Sequence, residues 1–170
     1  MESMKWYVLQ VAAGKELEIL KQLLRRGVSA VVPIEKRNIR KGGSWSLQDY
    51  IVFPGYVFIR IRYNWSKYYV MLGISGIIKI LGGGKEPTAL SDTEAARIVM
   101  MSDMLKEPSV LVFADDGNYT VISGALTELK PYITKIKRRY KRVELEVPLA
   151  GDKQKITLSF VEQTSDKNTS

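Results

Sequence analysis

The chain has 170 residues and contains no cysteine and no histidine, which excludes disulfides, thiol nucleophiles, ordinary zinc sites and catalytic triads that use an imidazole base. Lys and Arg number 26 against 18 Asp and Glu, and the resulting net charge of +8 attracts polyanions, so nucleic acid is the first partner to consider. Hydrophobic residues make up 45% of the chain, but no apolar run reaches the ~18 residues of a membrane span, so we expect a cytoplasmic protein without a membrane partner.

The first half predicts a sheet with helices packed on it. Strand-type runs at 6–11, 28–33, 50–62 and 77–81 alternate with helical patterns at 15–26, 64–72 and 92–101. In helix 15–26, Leu17, Leu20 and Leu24 share an apolar face that we expect in the core, with Ile19 and Leu23 beside it. This order of elements favours an α+β fold.

Basic residues collect at two places in this half. Lys21, Arg25 and Arg26 lie on the polar side and at the end of helix 15–26, where either polyanion contact or the helix dipole explains them. A second run leads into Gly42 and Gly43 and predicts a flexible loop tip that contacts phosphates or is simply solvated. This run consists of Lys36, Arg37, Arg40 and Lys41.

The second half predicts a small barrel. Short strands at 110–113, 119–122, 133–136, 142–147 and 156–161 are separated by turn residues. We therefore expect a first domain at 1–102, a linker at 103–109, a β-barrel domain at 110–164 and a flexible tail at 165–170. Strand-edge protection or phosphate contact explains a third basic cluster, which comprises Lys137, Arg138, Arg139, Lys141 and Arg142.

Two motifs that suggest cofactor chemistry fail on their spacing. Gly82–Lys85 is followed by Glu86 and Pro87 rather than by the Lys-Ser/Thr of a phosphate-binding loop. Asp115 and Asp116 lack further oxygen ligands at the spacing of a metal-binding loop and are typical of a hairpin turn. We expect no cofactor, no metal and no catalytic residues.

Several segments together resemble NusG-type transcription factors. Trp6-Tyr7-Val8, Phe53–Phe58, Gly76–Gly82 and Pro87–Glu94 are similar to the N-terminal (NGN) domain of that family. Val121–Leu126 and Tyr132–Ile136 resemble its KOW motif in a degenerate form, and the departures resemble specialised paralogues of the RfaH-like group, LoaP most closely. The resemblance implies an NGN domain with an antiparallel sheet and packed helices, and an SH3-like KOW barrel.

The resemblance also implies a function. Proteins of this kind bind the clamp helices of the largest subunit of RNA polymerase as monomers and suppress pauses and terminators without being enzymes. The residues that match the docking patch are Trp6, Tyr7, Phe53, Pro54 and Tyr56. Burial under the domain's own helices is the alternative for the aromatic residues of this segment.

Specialised paralogues are recruited by nucleic acid, either exposed nontemplate DNA or an RNA hairpin in a leader transcript. Dispersed basic residues suit phosphate contacts along a folded RNA, and the basic loop offers no aromatic stacking partner except Trp45 close by. We therefore expect an antitermination factor recruited by structured leader RNA. The alternative is a KOW-type structural RNA-binding protein of the ribosome.

Overall fold

A computed structural model describes residues 4–62, 64, 71, 73–82 and 87–164. The strands are β1 (Lys5–Val11), β2 (Ser29–Val31), β3 (Ile34–Lys41), β4 (Ser44–Ile51), β5 (Tyr56–Ile61), β6 (Ile77–Ile80), β7 (Ser109–Phe113), β8 (Tyr119–Ser123), β9 (Ile133–Lys137), β10 (Arg142–Leu149) and β11 (Asp152–Glu162). The helices are α1 (Glu16–Arg25), α2 (Asp92–Met104) and α3 (Leu126–Leu129), with 3₁₀ turns at Lys130–Tyr132 and Arg138–Tyr140. The predicted mixture of helices and strands is confirmed. The helix predicted at 64–72, the Gly82–Lys85 motif and the tail lie wholly or mainly outside the described residues.

The chain divides into two compact units that are discontinuous in sequence. The first unit contains residues 1–33, 53–102 and 148–152, and the second contains 34–52, 103–147 and 153–170. None of the helices in the described ranges is long and apolar enough to cross a membrane.

The first unit contains a four-stranded antiparallel sheet in the order β2-β5-β1-β6. Its central strands bury both faces: Val8 and Phe58 pair across β1 and β5, and both are fully buried, as are Leu9 and Val57. Two-sided burial requires continuous apolar runs, which explains the branched and aromatic sequence of these strands.

Helix α1 buries a different stripe from the one predicted. Ile19 and Leu23 are fully buried, together with the carboxylate-bearing Glu16, whereas Leu24 is 52% exposed. These three buried residues recur at i, i+3 and i+7, so the helix is turned away from the Leu17–Leu20–Leu24 face. The prediction that Leu24 belongs to the core was wrong.

A tight turn separates β4 from β5, where the sequence predicted one strand over 50–62. Pro54 and Gly55 occupy the central positions, Gly55 has a φ of +84°, and the Tyr56 N–H donates to the Phe53 carbonyl oxygen at 3.2 Å. Pro followed by a Gly of positive φ is the pattern of a type II turn. The Gly55 N–H also donates to Glu16 Oε2 at 2.8 Å, which ties the turn to the start of α1.

The segment predicted as a flexible basic loop is a β-hairpin. Strands β3 and β4 pair in continuous antiparallel register from Ile34 opposite Ile51 to Lys41 opposite Ser44. Gly42 and Gly43 form a two-residue connection with φ values of 60° and 81°. Left-handed φ at both positions matches the twist of paired strands, and glycine adopts it without steric cost.

The second unit also contains a five-stranded sheet in the order β8-β7-β11-β10-β9, so β8 and β9 are its two edges. Strand β7 pairs parallel with β11, and the β7–β8 and β9–β10 pairs are antiparallel. Strand β10 alternates strictly, with Val143, Leu145, Val147 and Leu149 buried, as expected for a strand with one face on a core. The closed SH3-like barrel stays a prediction.

Candidate nucleic-acid interface and docking patch

The hairpin β3–β4 divides its basic residues between two faces. Because side chains alternate along a strand, Glu35, Arg37 and Ile39 point to one face and Lys36, Asn38 and Arg40 to the other. Residues directly opposite each other share a face, which places Tyr50 with Glu35, and Trp45 with Arg40. The run that is uniformly basic in sequence is therefore divided in space.

One hairpin face is held on the second unit's sheet by a buried ion pair. Glu35 and Arg37 are 2% and 7% exposed, and the Arg37 guanidinium donates to the Glu35 carboxylate. The two Glu35 oxygens accept from the Ser159 N–H at 3.1 and 2.9 Å. Arg37 Nη2 donates to the Thr157 carbonyl oxygen at 2.8 Å and to Thr157 Oγ1 at 3.0 Å.

Arg37 is thereby removed from the set of RNA-binding candidates. Its guanidinium lies 3.4 Å from the centroid of the Tyr50 ring, in addition to its bonds to Glu35 and Thr157. A cation enclosed by a carboxylate, a carbonyl and an aromatic face has no surface to offer a phosphate. The prediction that Arg37 binds RNA was wrong, because its structural partner lies 120 residues away in sequence.

The other hairpin face is exposed and suited to nucleic acid. Arg40 is exposed on this face, and Lys36 is exposed but paired with Asp49. Lys41, at the end of β3, is also exposed but alternates to the Arg37 side of the strand. Trp45 and Leu47 on β4 are 66% and 62% exposed, and Arg40 lies 5.9 Å from the centroid of the Trp45 ring. Trp45, the one aromatic residue noted beside this segment in the sequence, lies directly opposite Arg40 in the register.

The cluster at 137–142 is exposed to half-buried and partly neutralised. Lys137 Nζ lies 2.9 Å from Glu144 Oε1, and Glu162 binds both Arg138, at 2.8 Å, and Lys141. The hydrogen bond from Lys137 lowers the pKa of Glu144 from its ordinary value. Arg139 is exposed and forms no ion pair with the residues that the structure describes.

This cluster and the hairpin both belong to the second unit. Burial, and then the positive charge of Arg37, lower the pKa of Arg142 from its ordinary value. Two of the three basic groups predicted from the sequence therefore lie in the second unit. The third group is exposed in the first unit, with Lys21 and Arg25 on α1 and Arg26 directly after it.

The predicted docking patch is divided between core and surface. Phe53 and Tyr7 are 2% and 7% exposed, and the Phe53 ring packs edge-on against Phe58 with centroids 5.3 Å apart. Neither ring can anchor a partner in this structure, so Phe53 and Tyr7 are corrected to core residues. Pro54 is exposed at the turn, and Tyr56 and Trp6 are half-buried.

Trp6 and Tyr56 share a sheet face but lie at opposite ends of it. Tyr56 is opposite Gln10, and Trp6 is opposite Arg60, four residues further along the paired strands. At about 3.3 Å per residue the two rings are separated by roughly 13 Å. A patch centred on Pro54 and Tyr56 therefore excludes Trp6 unless the partner spans that distance.

The acidic residues in the described part of the chain form no metal-binding cluster. No group of three or more acidic residues is arranged to hold a metal ion within residues 4–62 and 73–164, leaving aside the gap at 83–86. Asp115 and Asp116 lie in the β7–β8 turn, where Asp116 accepts hydrogen bonds from the Asn118 N–H and side-chain amide, both at 2.9 Å.

Comparison with known proteins decides the family. A family model described as "Transcription termination factor nusG" matches residues 4–99, more than half of the chain. The chain belongs to the NusG family. The match contains the first unit's sheet together with the hairpin, and the part of the chain that follows residue 99 lies outside it.

Individual NusG proteins extend the likeness to nearly the whole chain. The transcription termination/antitermination protein NusG of Bacillus subtilis is 27% identical, over 92% of this chain and 96% of its own length. The Thermus thermophilus protein of the same name is 25% identical, over 93% of this chain and 96% of its own length. The NusG structure from Thermotoga maritima, solved to describe its domain interaction, shares the fold with a TM-score of 0.59 at 21% identity and covers 92% of this chain.

Proposed function

We propose that this NusG-family protein is a non-enzymatic, monomeric transcription antitermination factor that acts in the cytoplasm. It docks on the clamp helices of RNA polymerase and is recruited by a structured leader RNA, as a specialised paralogue of the RfaH-like and LoaP-like kind. Residues 1–102 form the NGN docking domain and residues 110–164 the KOW domain in this proposal. Family membership supports the transcriptional role, since its relatives are named for termination and antitermination.

The observation that carries the RNA part is the exposed hairpin face. Arg40 and Trp45 pair a cation with an aromatic ring across two strands, and Leu47 extends that surface. Lys41 adds an exposed cation next to Arg40, at the tip of the hairpin. Arg and an exposed indole provide phosphate attraction and a base-stacking surface at one place. Exposed cations on α1 add charge in the first unit, as tracking of a folded RNA requires.

Salt dependence of RNA binding tests this surface. Five neutralised phosphates predict a log-log salt slope of about −4.5 on a duplex. The double variant R40A/K41A lowers the magnitude of that slope by about 1.8, since each lost phosphate contact removes about 0.9. A slope near zero for the wild-type protein, or an unchanged slope in the variant, contradicts recruitment through this face.

Polymerase binding is tested separately with the docking patch. Tyr56→Ala removes a half-buried ring beside exposed Pro54, and Ile78→Ala is the matched control because Ile78 is 54% exposed on β6 of the same sheet. In a pull-down with polymerase and leader RNA, Y56A loses polymerase and retains RNA, whereas R40A/K41A does the reverse. Co-purification with ribosomal subunits in place of polymerase contradicts the proposal and favours the ribosomal alternative.

A further inference from the structure

A groove opens between the two edge strands of the five-stranded sheet. Phe113, Gly117 and Tyr119 line one side, and residues 133–136 with Arg138 line the other, so the groove lies between β8 and β9. Its volume is about 460 Å³, within the roughly 300–1,000 Å³ typical of sites that hold small organic groups. Gly117, Thr134, Lys135 and Arg138 are exposed, so the groove is accessible from solvent.

The groove's walls are flat and its rim is cationic. The Phe113 and Tyr119 rings are neighbours with centroids 6.1 Å apart, and Lys130 Nζ lies 5.7 Å from the Tyr119 centroid. Arg138 lies 4.2 Å above the Phe113 ring, while its Nε and Nη2 donate to Glu162 Oε1 at 3.0 and 2.8 Å. A guanidinium held by both a ring and a carboxylate is a fixed planar surface that still has unused N–H donors.

These features select an aromatic ligand that carries negative charge nearby. Planar faces from Tyr119 and Arg138 favour stacking of a flat ring, and apolar Ile133 and Ile136 exclude water from it. Lys130 and Lys135 supply positive charge beside the groove, and neither forms an ion pair within the described ranges. Asp115 and Asp116 lie in the β7–β8 turn, so the anionic part of a ligand belongs on the β9 side.

We propose that this groove binds one unpaired nucleobase of a nucleic-acid strand, with Tyr119 and Arg138 stacking on the base and Lys135 contacting its phosphate. An unpaired base offers a ring to stack and a backbone phosphate within one nucleotide, which duplex RNA does not. The inference rests on the proposed recruitment by nucleic acid and extends it: the hairpin face contacts the structured RNA, and the groove holds one unpaired base.

The first experiment maps the groove in the full-length protein. Amide NMR spectra are recorded with a single-stranded RNA hexamer, a DNA hexamer of the same sequence, and an abasic hexamer of equal charge. Shifts at Gly117, Thr134 and Ile136 with the base-bearing strands, and contacts between base protons and the Tyr119 ring, are expected. Equal shifts with the abasic strand would show a charge-only surface and overturn the proposal. Tighter binding of the RNA or of the DNA hexamer identifies which strand supplies the base, and either outcome supports a base site.

The second experiment removes the stacking face. Tyr119→Leu keeps apolar bulk and lowers hexamer affinity about 5- to 100-fold, the range for losing one base–aromatic stack. Tyr119→Phe retains binding and reports that the site is folded, and Tyr140→Leu is the matched control because Tyr140 is 64% exposed outside the groove. Equal affinity of Y119L and wild type overturns the proposal, as does an equal loss in Y140L. If Y119L does not fold, the presence or absence of contacts between base protons and the Tyr119 ring in the wild-type protein decides whether the groove binds a base.

The experiments distinguish an error in the nucleobase site from an error in the proposed recruitment by RNA. Leader-RNA binding that is sensitive to R40A/K41A, without hexamer shifts at the groove, overturns only the nucleobase site. Hexamer binding at the groove without any binding of structured RNA overturns only the proposed recruitment by an RNA hairpin. Equal displacement of the hexamer by an anionic polyglutamate peptide would assign the groove to a protein segment and overturn the nucleobase site.

Discussion

Arg37 and Arg40 lie three residues apart on one strand and have opposite environments. Arg37 is bonded to Glu35 and Thr157 and enclosed by Tyr50, whereas Arg40 is exposed beside Trp45. The alternation of the strand separates them, since positions 35, 37 and 39 point to the sheet and positions 36, 38 and 40 point to solvent. Identical side chains on this strand therefore contribute to stability in one case and are available to a ligand in the other.

Arg37→Ala is expected to destabilise the protein and to leave the salt slope of RNA binding unchanged. Removing one partner of a buried pair leaves the Glu35 carboxylate enclosed without its cation, at a cost of about 3–5 kcal/mol. Urea unfolding followed by tryptophan fluorescence measures the loss.

Arg40→Ala is the matched control for that experiment. Because Arg40 is exposed, the unfolding free energy of the R40A variant is expected to stay within about 0.5 kcal/mol of wild type. The RNA salt slope instead loses about 0.9 in magnitude. The opposite pattern in the two variants would show that the two faces of the hairpin have been assigned the wrong way round.

Glu144→Gln is expected to release Lys137 for phosphate contact. The pair at 2.9 Å neutralises a candidate RNA contact, so its loss steepens the salt slope by up to about 0.9. The folded pKa of Glu144 is lowered below its ordinary 4.5, so its stabilising effect is present above pH 4.5 and is lost as the pH falls through the folded value. Wild type and E144Q should therefore converge in stability in acid, and a constant difference down to low pH contradicts the pairing.

At the scale of elements, the start of α1 and the turn before β5 depend on each other. The Gly55 N–H donates to the buried Glu16 carboxylate, and the Val11 N–H donates to the Gly55 carbonyl oxygen at 2.8 Å. These bonds hold exposed Pro54 at the tip of the turn and Tyr56 at the start of β5. The predicted docking patch is therefore positioned by the carboxylate of Glu16, which is buried.

Glu16→Ala is expected to loosen this turn. The part-buried Gly55 N–H loses its acceptor, which costs about 1–3 kcal/mol, and its amide exchange rate rises. Glu18→Ala is the matched control, because Glu18 is exposed on the same helix turn and, among the described residues, pairs only with Lys15, at 3.8 Å. Polymerase affinity should fall in E16A and not in E18A. Equal affinities of the two variants would show that the position of this turn does not affect polymerase binding.

Sequence patterns predicted the elements whose signals are local and missed those that depend on distant residues. The helix predicted at 92–101 is α2, and a local signal marks its start: the Glu94 N–H donates to Ser91 Oγ at 3.1 Å in a capping box. The hairpin was missed because its run of charged residues resembles a loop, although residues typical of the two strand faces already alternate along it in the sequence. The burial of Arg37 could not be predicted, since Thr157 and Ser159 are distant in sequence. Phe53 matched a family segment, but similarity alone does not distinguish a buried ring from an exposed one.

At the scale of the whole molecule, the boundaries in sequence and the compact units differ. Residues 34–52 lie between two segments of the first unit, yet they group with the C-terminal sheet. Four of the 15 basic residues before Ser102 belong to this hairpin, so part of the charge of the N-terminal half belongs to the second unit. Charge counted along the chain therefore misplaces the electrostatic field in space.

The C-terminal residues are expected to stay extended in all functional states. Pro131 interrupts a helix, and the β-branched Ile133, Thr134 and Ile136 favour the observed strand β9. Carbon-13 chemical shifts of residues 133–149 in the full chain should indicate strands with and without bound RNA. Helical shifts in either state would show that this unit refolds.

The alternation of β3 also has a consequence for how such a protein diversifies. Positions 35 and 37 are committed to the sheet beneath them, whereas 38 and 40, with 45 and 47 opposite, can vary without disturbing it. A library randomised at those four sites should yield many well-folded members with new leader preferences. Inserting one residue between Arg37 and Arg40 would instead turn Arg40 toward the sheet while Glu35 and Arg37 keep their orientation, so the recognition face would lose its cation.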